Sequence, residues 1–85
     1  MVSFDYTIKD ALGLHARPAG ILVKRLKTLP CEVTVICEDR KADAKKLFAL
    51  MGMAVKCGET VTVTVEGENE QAVMEELLAF FEENY

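Results

Sequence analysis

The segment Gly13–Ala19 (GLHARPA) contains the only histidine of the chain, His15. His15 follows a strand-like segment and directly precedes apolar residues at positions 19, 22, 23 and 26, a spacing typical of an amphipathic helix. The first turn of a helix has N–H groups without partners and a partial positive charge, so it attracts phosphate. The same field disfavours a protonated imidazole, and we expect His15 to be a neutral nucleophile there.

Two neighbours of His15 suit the same chemistry. Arg17 has a planar guanidinium whose donors match pairs of phosphate oxygens. Pro18 falls in the first helical turn, where a missing N–H costs little. We therefore predict that His15 accepts and passes on a phosphoryl group and that Arg17 stabilises it. The backbone N–H groups of Ala16 and Arg17 are predicted to bind the phosphate.

Strand and helix patterns alternate along the rest of the chain. Strands are predicted at 2–9, 32–37, 40–42 and 60–65, and helices at 16–27, at 44–53 and after Asn69, which is the expected N-cap. Residues 60–65 alternate threonine with valine, which indicates a sheet covered on one face only. The order βαββαβα, with two long amphipathic helices on one face of an antiparallel sheet, predicts a two-layer α+β sandwich.

The short helix at 44–53 raises the question of which apolar residues are buried. Asp43 is its predicted N-cap. Residues spaced by three and four along it form one stripe, and we expect most of this stripe to be buried: Leu47, Leu50, Met51 and Ala54. Phe48 is turned about 100° from Leu47 around the helix, so the two need not both be buried. An apolar pair left at the surface would suit protein docking.

The block GLHARPA, its distance from the N-terminus and the length of 85 residues resemble the HPr family. HPr proteins are the histidine-containing phosphocarriers of the phosphoenolpyruvate-dependent sugar phosphotransferase system. The resemblance extends over essentially the whole chain, including Lys24, Lys27, the segment 45–48 and the turn at 67–69. It implies a single HPr-like domain over residues 1–85. It also implies a four-stranded antiparallel sheet that carries two longer helices and one short helix on one face.

The resemblance also implies a specific role for the site. His15 is expected to carry the phosphoryl group on Nδ1, to accept it from phospho-enzyme I and to pass it to enzyme IIA domains during sugar uptake. We expect a relay protein rather than an enzyme acting on a small substrate, without cofactor or metal, and a monomer. Docking to partners is expected at six residues: Lys24, Lys27, Lys45, Leu47, Phe48 and Met51.

Two positions depart from the family's pattern. Many HPr proteins carry a regulatory serine, phosphorylated by HPr kinase, at the position that Lys46 occupies here. No serine or threonine lies between Thr34 and Thr60, so HPr kinase has no hydroxyl group to phosphorylate at the short helix. Lys46 also has the opposite charge to phosphoserine and should not imitate the inhibited state. Leu12 stands where relatives often have a polar residue, which removes one side-chain partner for the phosphate.

The charge of the chain is divided along its length. All ten Lys and Arg residues lie between Lys9 and Lys56, whereas residues 57–85 contain eight acidic residues and no basic one. An acidic chain with few aromatic residues argues against nucleic-acid binding, and basic residues near His15 favour acidic protein surfaces. No apolar run is long enough to cross a membrane and no signal-peptide pattern is present, so we expect a cytoplasmic protein.

The three cysteines, Cys31, Cys37 and Cys57, are an odd number without a C-x-x-C spacing, so we predict reduced thiols. Cys37 alternates with the valines of its strand and is predicted to be a small buried apolar residue. The thiols and His15 lack the spacing of a zinc site.

Two alternatives to the main carrier of sugar uptake are open. The first is an HPr paralogue in a regulatory or nitrogen-related phosphotransfer branch, which the missing serine makes reasonable. The second, from another class, is a small ferredoxin-like domain that binds a regulatory ligand. Such a domain has a similar order of strands and helices, but it gives no reason for His-x-Arg-Pro at the start of a helix.

Overall fold

The computed structural model describes residues 1–85 and has the predicted element order βαββαβα. The strands are β1 (Val2–Thr7), β2 (Glu32–Cys37), β3 (Arg40–Asp43) and β4 (Thr60–Glu66); the helices are α1 (Ala16–Leu26), α2 (Leu47–Gly52) and α3 (Glu70–Asn84). The strands form one antiparallel sheet in the order β1-β4-β2-β3. The predicted α+β sandwich is therefore confirmed. None of the three helices combines the length and apolar character that crossing a membrane requires.

The helices cover one face of the sheet, and the core lies between the two layers. The valines of β4 point into the core and are fully buried, while its threonines lie on the open face. The ring of Phe81 in α3 meets the rings of Phe4 and Tyr6 edge to face, with centroids 5.9 and 5.7 Å apart. Burying a side chain of this size contributes about 1.5–3 kcal/mol. This packing fixes α3 over β1, so the end of α3 comes close to the loop that follows β1.

The short helix α2 begins later than the sequence predicts, and Asp43 is not its N-cap. Asp43 is the last residue of β3, and the N–H of Ala44 still bonds to a β2 carbonyl, so the chain is held in the sheet at that point. The Asp43 carboxylate accepts the N–H of Lys45 at 2.8 Å and so closes a turn instead of capping a helix. The helix therefore starts only at Leu47, with Lys46 as its N-cap.

Asn69 is the N-cap of α3, as predicted, but its side chain makes no capping hydrogen bond. Its backbone is left-handed, with φ 59°, a conformation that asparagine tolerates better than most residues. The carboxylate of Glu70 instead accepts the N–H of Gly67 at 3.1 Å, which closes the turn before the helix.

All three cysteines are free thiols. Cys31 and Cys37 are buried, in agreement with the prediction for Cys37, whereas Cys57 is exposed. Burial raises the pKa of the Cys37 thiol above its ordinary value, so this residue stays protonated and acts as a packing group.

Candidate functional site

His15 is the N-cap of α1, and a turn at Gly13 places it there. Gly13 has φ +69°, and the N–H of Leu14 donates to the carbonyl of Val55 at 3.0 Å. A Cβ at position 13 would collide with this same carbonyl oxygen and lie 2.9 Å from the Cα of Lys56. Glycine is therefore required both for the backbone angle and for the close approach of the two segments.

We expect Gly13→Ala to destabilise the fold by about 2 kcal/mol or more, because a left-handed non-glycine residue and a backbone collision are combined at one position. Gly20→Ala is the matched control, since an added Cβ there meets nothing within 4 Å. In the helix interior this control should stabilise by up to ~1 kcal/mol. Urea unfolding measures both variants. Equal stability of the two would show that the turn tolerates a side chain.

The two ring nitrogens of His15 lie in different surroundings. Nε2 is enclosed and has no hydrogen-bond partner of standard geometry, and it faces Oδ2 of Asp10 at 3.4 Å. Nδ1 is neither enclosed nor hydrogen-bonded within the protein. The side chain as a whole is 26% exposed. A reactant from solvent therefore reaches the ring at Nδ1.

Tyr85 closes the inner side of this site. Its ring lies edge-on to the His15 ring with centroids 6.0 Å apart, and its hydroxyl donates to the His15 carbonyl at 3.3 Å. Its backbone oxygen accepts the N–H groups of Lys9 and Asp10. Burial, and to a lesser degree the charge of Asp10, raise the pKa of Tyr85 far above its ordinary value. The phenol therefore remains a hydrogen-bond donor at any physiological pH.

The start of α1, directly after His15, has hydrogen-bond donors that the protein does not use. The N–H groups of Ala16 and Arg17 have no partner within the protein, and Pro18 has no N–H. The Arg17 side chain is exposed and forms no ion pair or hydrogen bond. Two backbone donors and one guanidinium are thus free to bind an anion at the helix start.

The expected docking residues lie on or next to α1 and α2, which pack against each other: Lys24 is in α1, Lys27 is its C-cap, Lys45 precedes α2, and Leu47, Phe48 and Met51 are in α2. Lys24 and Lys27 are exposed, and Phe48 is 90% exposed, whereas Leu47 and Met51 are half-buried. Phe48 is therefore the outward-facing member of the apolar pair.

Lys45 differs from the other lysines of this group. Its ammonium donates to the Leu29 carbonyl at 2.8 Å and so ties the segment before α2 to the end of α1. Two further large apolar side chains are exposed on the same part of the chain, Leu12 (74%) and Ile21 (59%). The sequence patterns did not single them out for docking.

Asp10 and Tyr85 belong to the site but were not predicted from the sequence. The position of Asp10 two residues before Leu12, whose N–H it accepts at 2.8 Å, is a spacing typical of an aspartate turn. Tyr85 has no sequence signal that places it here, because the contact joins residues 70 positions apart.

Comparison with known proteins identifies the family of the chain. The family model described as the PTS HPr component phosphorylation site matches residues 2–83. The chain is 40% identical to the phosphocarrier protein HPr of Haemophilus influenzae, with 93% of each chain covered. The histidine-containing phosphocarrier protein of Mycoplasma superposes with a TM-score of 0.89 at 28% identity, over 93% of this chain and 90% of that one.

A crystal structure of Crh, the catabolite repression protein of Bacillus subtilis, is also similar. It superposes with a TM-score of 0.76 at 34% identity over 98% of this chain and 95% of that one, and it shows that relative as a dimer with a swapped domain. The family model spans nearly the whole chain, including the histidine at the start of α1. The relatives named above are HPr and Crh proteins, and none of them is a ferredoxin-like ligand-binding domain. The chain therefore belongs to the HPr family of phosphocarrier proteins of the phosphotransferase system.

Proposed function

We propose that this protein carries a phosphoryl group on Nδ1 of His15, accepting it from phospho-enzyme I and passing it to enzyme IIA domains in phosphoenolpyruvate-dependent sugar uptake. The observation that carries the proposal is the contrast between the two ring nitrogens. Nε2 is enclosed beside Asp10, whereas Nδ1 is not, and His15 is the N-cap residue directly before the unpaired N–H groups of Ala16 and Arg17. Family membership supports the same role.

The transfer needs a nucleophile and charge stabilisation, and the site supplies both. The lone pair of Nδ1 forms a bond to phosphorus while the bond between phosphorus and the donor's leaving atom breaks. The proton on Nε2 stays in place, so the ring acquires a formal positive charge. The N–H groups of Ala16 and Arg17 and the Arg17 guanidinium stabilise the phosphoryl oxygens. Transfer to the acceptor is the same step in reverse.

The direct test is incubation with phosphoenolpyruvate and enzyme I, followed by intact-mass measurement. We expect a gain of one phosphate, which is lost in acid as phosphohistidine requires and is lost to an added enzyme IIA domain at neutral pH. No mass gain, or a phosphate that survives acid, would refute the proposal.

Docking is proposed to combine basic residues with an apolar contact. Lys24, Lys27 and Lys45 supply positive charge around α1 and α2, and Leu47, Phe48 and Met51 supply apolar surface. Exposed charges speed association because they attract a partner of opposite charge. Salt screens this attraction beyond about 8 Å at physiological ionic strength. The Lys45 ammonium keeps its charge when it donates to the Leu29 carbonyl, but only Lys24 and Lys27 can be changed without loss of an internal hydrogen bond.

We expect the association rate with enzyme I, measured by stopped flow, to fall as ionic strength rises, because screening weakens this attraction. Lys24→Gln together with Lys27→Gln should flatten the salt dependence. Phe48→Ala is the matched comparison, since it should speed dissociation and leave the salt dependence unchanged. An association rate of the wild type that does not respond to salt would contradict electrostatic steering.

A second candidate function is favoured by one specific observation. Lys46 occupies the N-cap of α2, and no hydroxyl side chain lies between Thr34 and Thr60. A carrier without the serine-based control fits a paralogue in a regulatory or nitrogen-related branch. Parallel transfer assays with the donors and acceptors of each branch separate the two candidates by their relative rates.

We further propose that the protein acts in the cytoplasm as a monomer. Light scattering of the purified chain tests the second part, because a dimer like that of Bacillus subtilis Crh would double the mass.

A further inference from the structure

We propose that Asp10 is a positioning residue that holds the His15 proton on Nε2 and thereby leaves the lone pair on Nδ1 for phosphoryl transfer. This inference rests on the proposed function and names how the histidine is prepared for it. The observation behind it is that Nε2 is enclosed, lacks any hydrogen bond of standard geometry and faces Oδ2 of Asp10 at 3.4 Å.

Asp10 is fixed in this orientation by one contact of its carboxylate and one contact of its backbone. Its oxygen Oδ1 accepts the N–H of Leu12 at 2.8 Å. Its backbone N–H donates to the backbone oxygen of Tyr85 at 2.7 Å. With one oxygen bound to Leu12, the other oxygen is directed at the histidine ring. A rotation of the carboxylate would therefore lose the Leu12 bond.

An ionised carboxylate only accepts hydrogen bonds, so the ring nitrogen that faces it is the one that carries the proton. In neutral imidazole the other nitrogen, Nδ1, then has the free lone pair. The contact is longer than a standard N–H···O bond, at 3.4 Å, and its N–H is not well aligned with the oxygen. Contacts of this kind shorten when the reacting state develops charge, and the ring becomes positive once Nδ1 binds phosphorus. Asp10 then offsets this charge.

Tyr85 makes a second contact with His15. Its hydroxyl holds the His15 carbonyl, and its edge-on ring limits rotation of the imidazole. His15 is thus fixed at its backbone by Tyr85 and at its buried nitrogen by Asp10. This arrangement resembles the way in which a carboxylate orients a catalytic histidine through the nitrogen that does not react.

The substitution Asp10→Asn tests the inference sharply because Oδ1 is already in use. The amide keeps its oxygen on the Leu12 N–H, so its NH₂ group is placed against Nε2. An NH₂ group donates, which requires Nε2 to accept and moves the ring proton to Nδ1. The nucleophilic lone pair is then lost, although the side chain has the same shape.

The matched control is Asp43→Asn. Asp43 makes the same local contact, from its Oδ1 to the N–H two residues later at 2.8 Å, but it forms no ion pair with histidine. Both substitutions remove one negative charge. A difference between the two variants therefore reports the contact with His15 and not the turn or the net charge.

The primary measurement is ¹⁵N NMR of His15 in unphosphorylated protein above the pH at which the ring is protonated. We expect the wild type and Asp43→Asn to carry the proton on Nε2 and Asp10→Asn to carry it mainly on Nδ1. Phosphorylation by enzyme I should be slowed by roughly tenfold or more in Asp10→Asn only, because the main tautomer then has no free lone pair on Nδ1.

An unchanged tautomer in folded Asp10→Asn would overturn the inference. Should Asp10→Asn not fold, Asp10→Ala replaces it, and an Nε2–H tautomer as dominant as in the wild type would overturn the inference. A ring proton on Nδ1 of the wild type would overturn it equally. These readouts need no phosphate. If the tautomer responds as expected but the wild type never accepts a phosphoryl group, the positioning role stands and the proposed function fails.

Discussion

His15→Ala is expected to abolish phosphorylation by enzyme I and phosphoenolpyruvate completely while the protein stays folded. The loss should be total because Nδ1 of this residue is the atom that forms the bond to phosphorus, and the chain has no second histidine. Intact mass after incubation with excess donor measures the effect, with acid treatment to identify the type of phosphate bond.

The fold should tolerate this change for a local reason. The His15 side chain makes no capping hydrogen bond to α1, and its backbone contacts with Gly13 and Ala19 do not depend on the ring. We expect the free energy of unfolding to change by less than ~1 kcal/mol. Acid-labile phosphate on the purified variant would show that another residue carries the group.

The sheet and the long helices could be predicted because their signals are local and repeated. The valine–threonine alternation of β4 predicts one buried and one open face, and the structure shows both. The spacing of the apolar residues in α3 predicts a buried stripe of five residues: Val73, Met74, Leu77, Phe80 and Phe81. Val73, Leu77 and Phe81 are buried, whereas Met74 and Phe80 are only half-buried against the core. Each pattern repeats over several turns or pleats, so a single exception does not change the result.

The start of α2 was predicted wrongly because two local signals compete there. An aspartate before an apolar segment can be either an N-cap or the first residue of a turn. Here the hydrogen bond from Ala44 to β2 holds the chain in the sheet, so Asp43 forms the turn. Such a choice depends on a strand that is distant in sequence, so position 43 alone cannot reveal it.

The inner half of the site could not be predicted for a related reason. The strand and helix patterns bring Ala16 and Arg17 next to His15 because all three are neighbours in sequence. Asp10 and Tyr85 reach the ring only because α3 packs over β1 and brings its last residue to the loop after that strand. The enclosure of Nε2 results from this packing and has no sequence signature.

Arg17→Glu is expected to slow phosphoryl transfer strongly, by roughly 10²- to 10³-fold, the loss typical when a donor to a developing oxyanion is removed. The guanidinium is exposed and has no partner in the protein, so it is available to the incoming phosphoryl oxygens. A glutamate there puts a negative charge beside them. Arg17→Lys should be impaired less, because it keeps the charge but loses the planar pair of donors.

The matched control is Lys41→Glu, which changes the net charge equally on β3, at the far edge of the sheet from β1. Single-turnover transfer at saturating enzyme I separates the chemical step from docking, and the control should match the wild type there. Because the Arg17 and Lys41 side chains are exposed and form no internal hydrogen bond or ion pair, none of these variants should lose stability by more than a few tenths of a kcal/mol. Transfer rates of Arg17→Glu and Arg17→Lys equal to the wild type would show that Arg17 is an ordinary solvated surface residue.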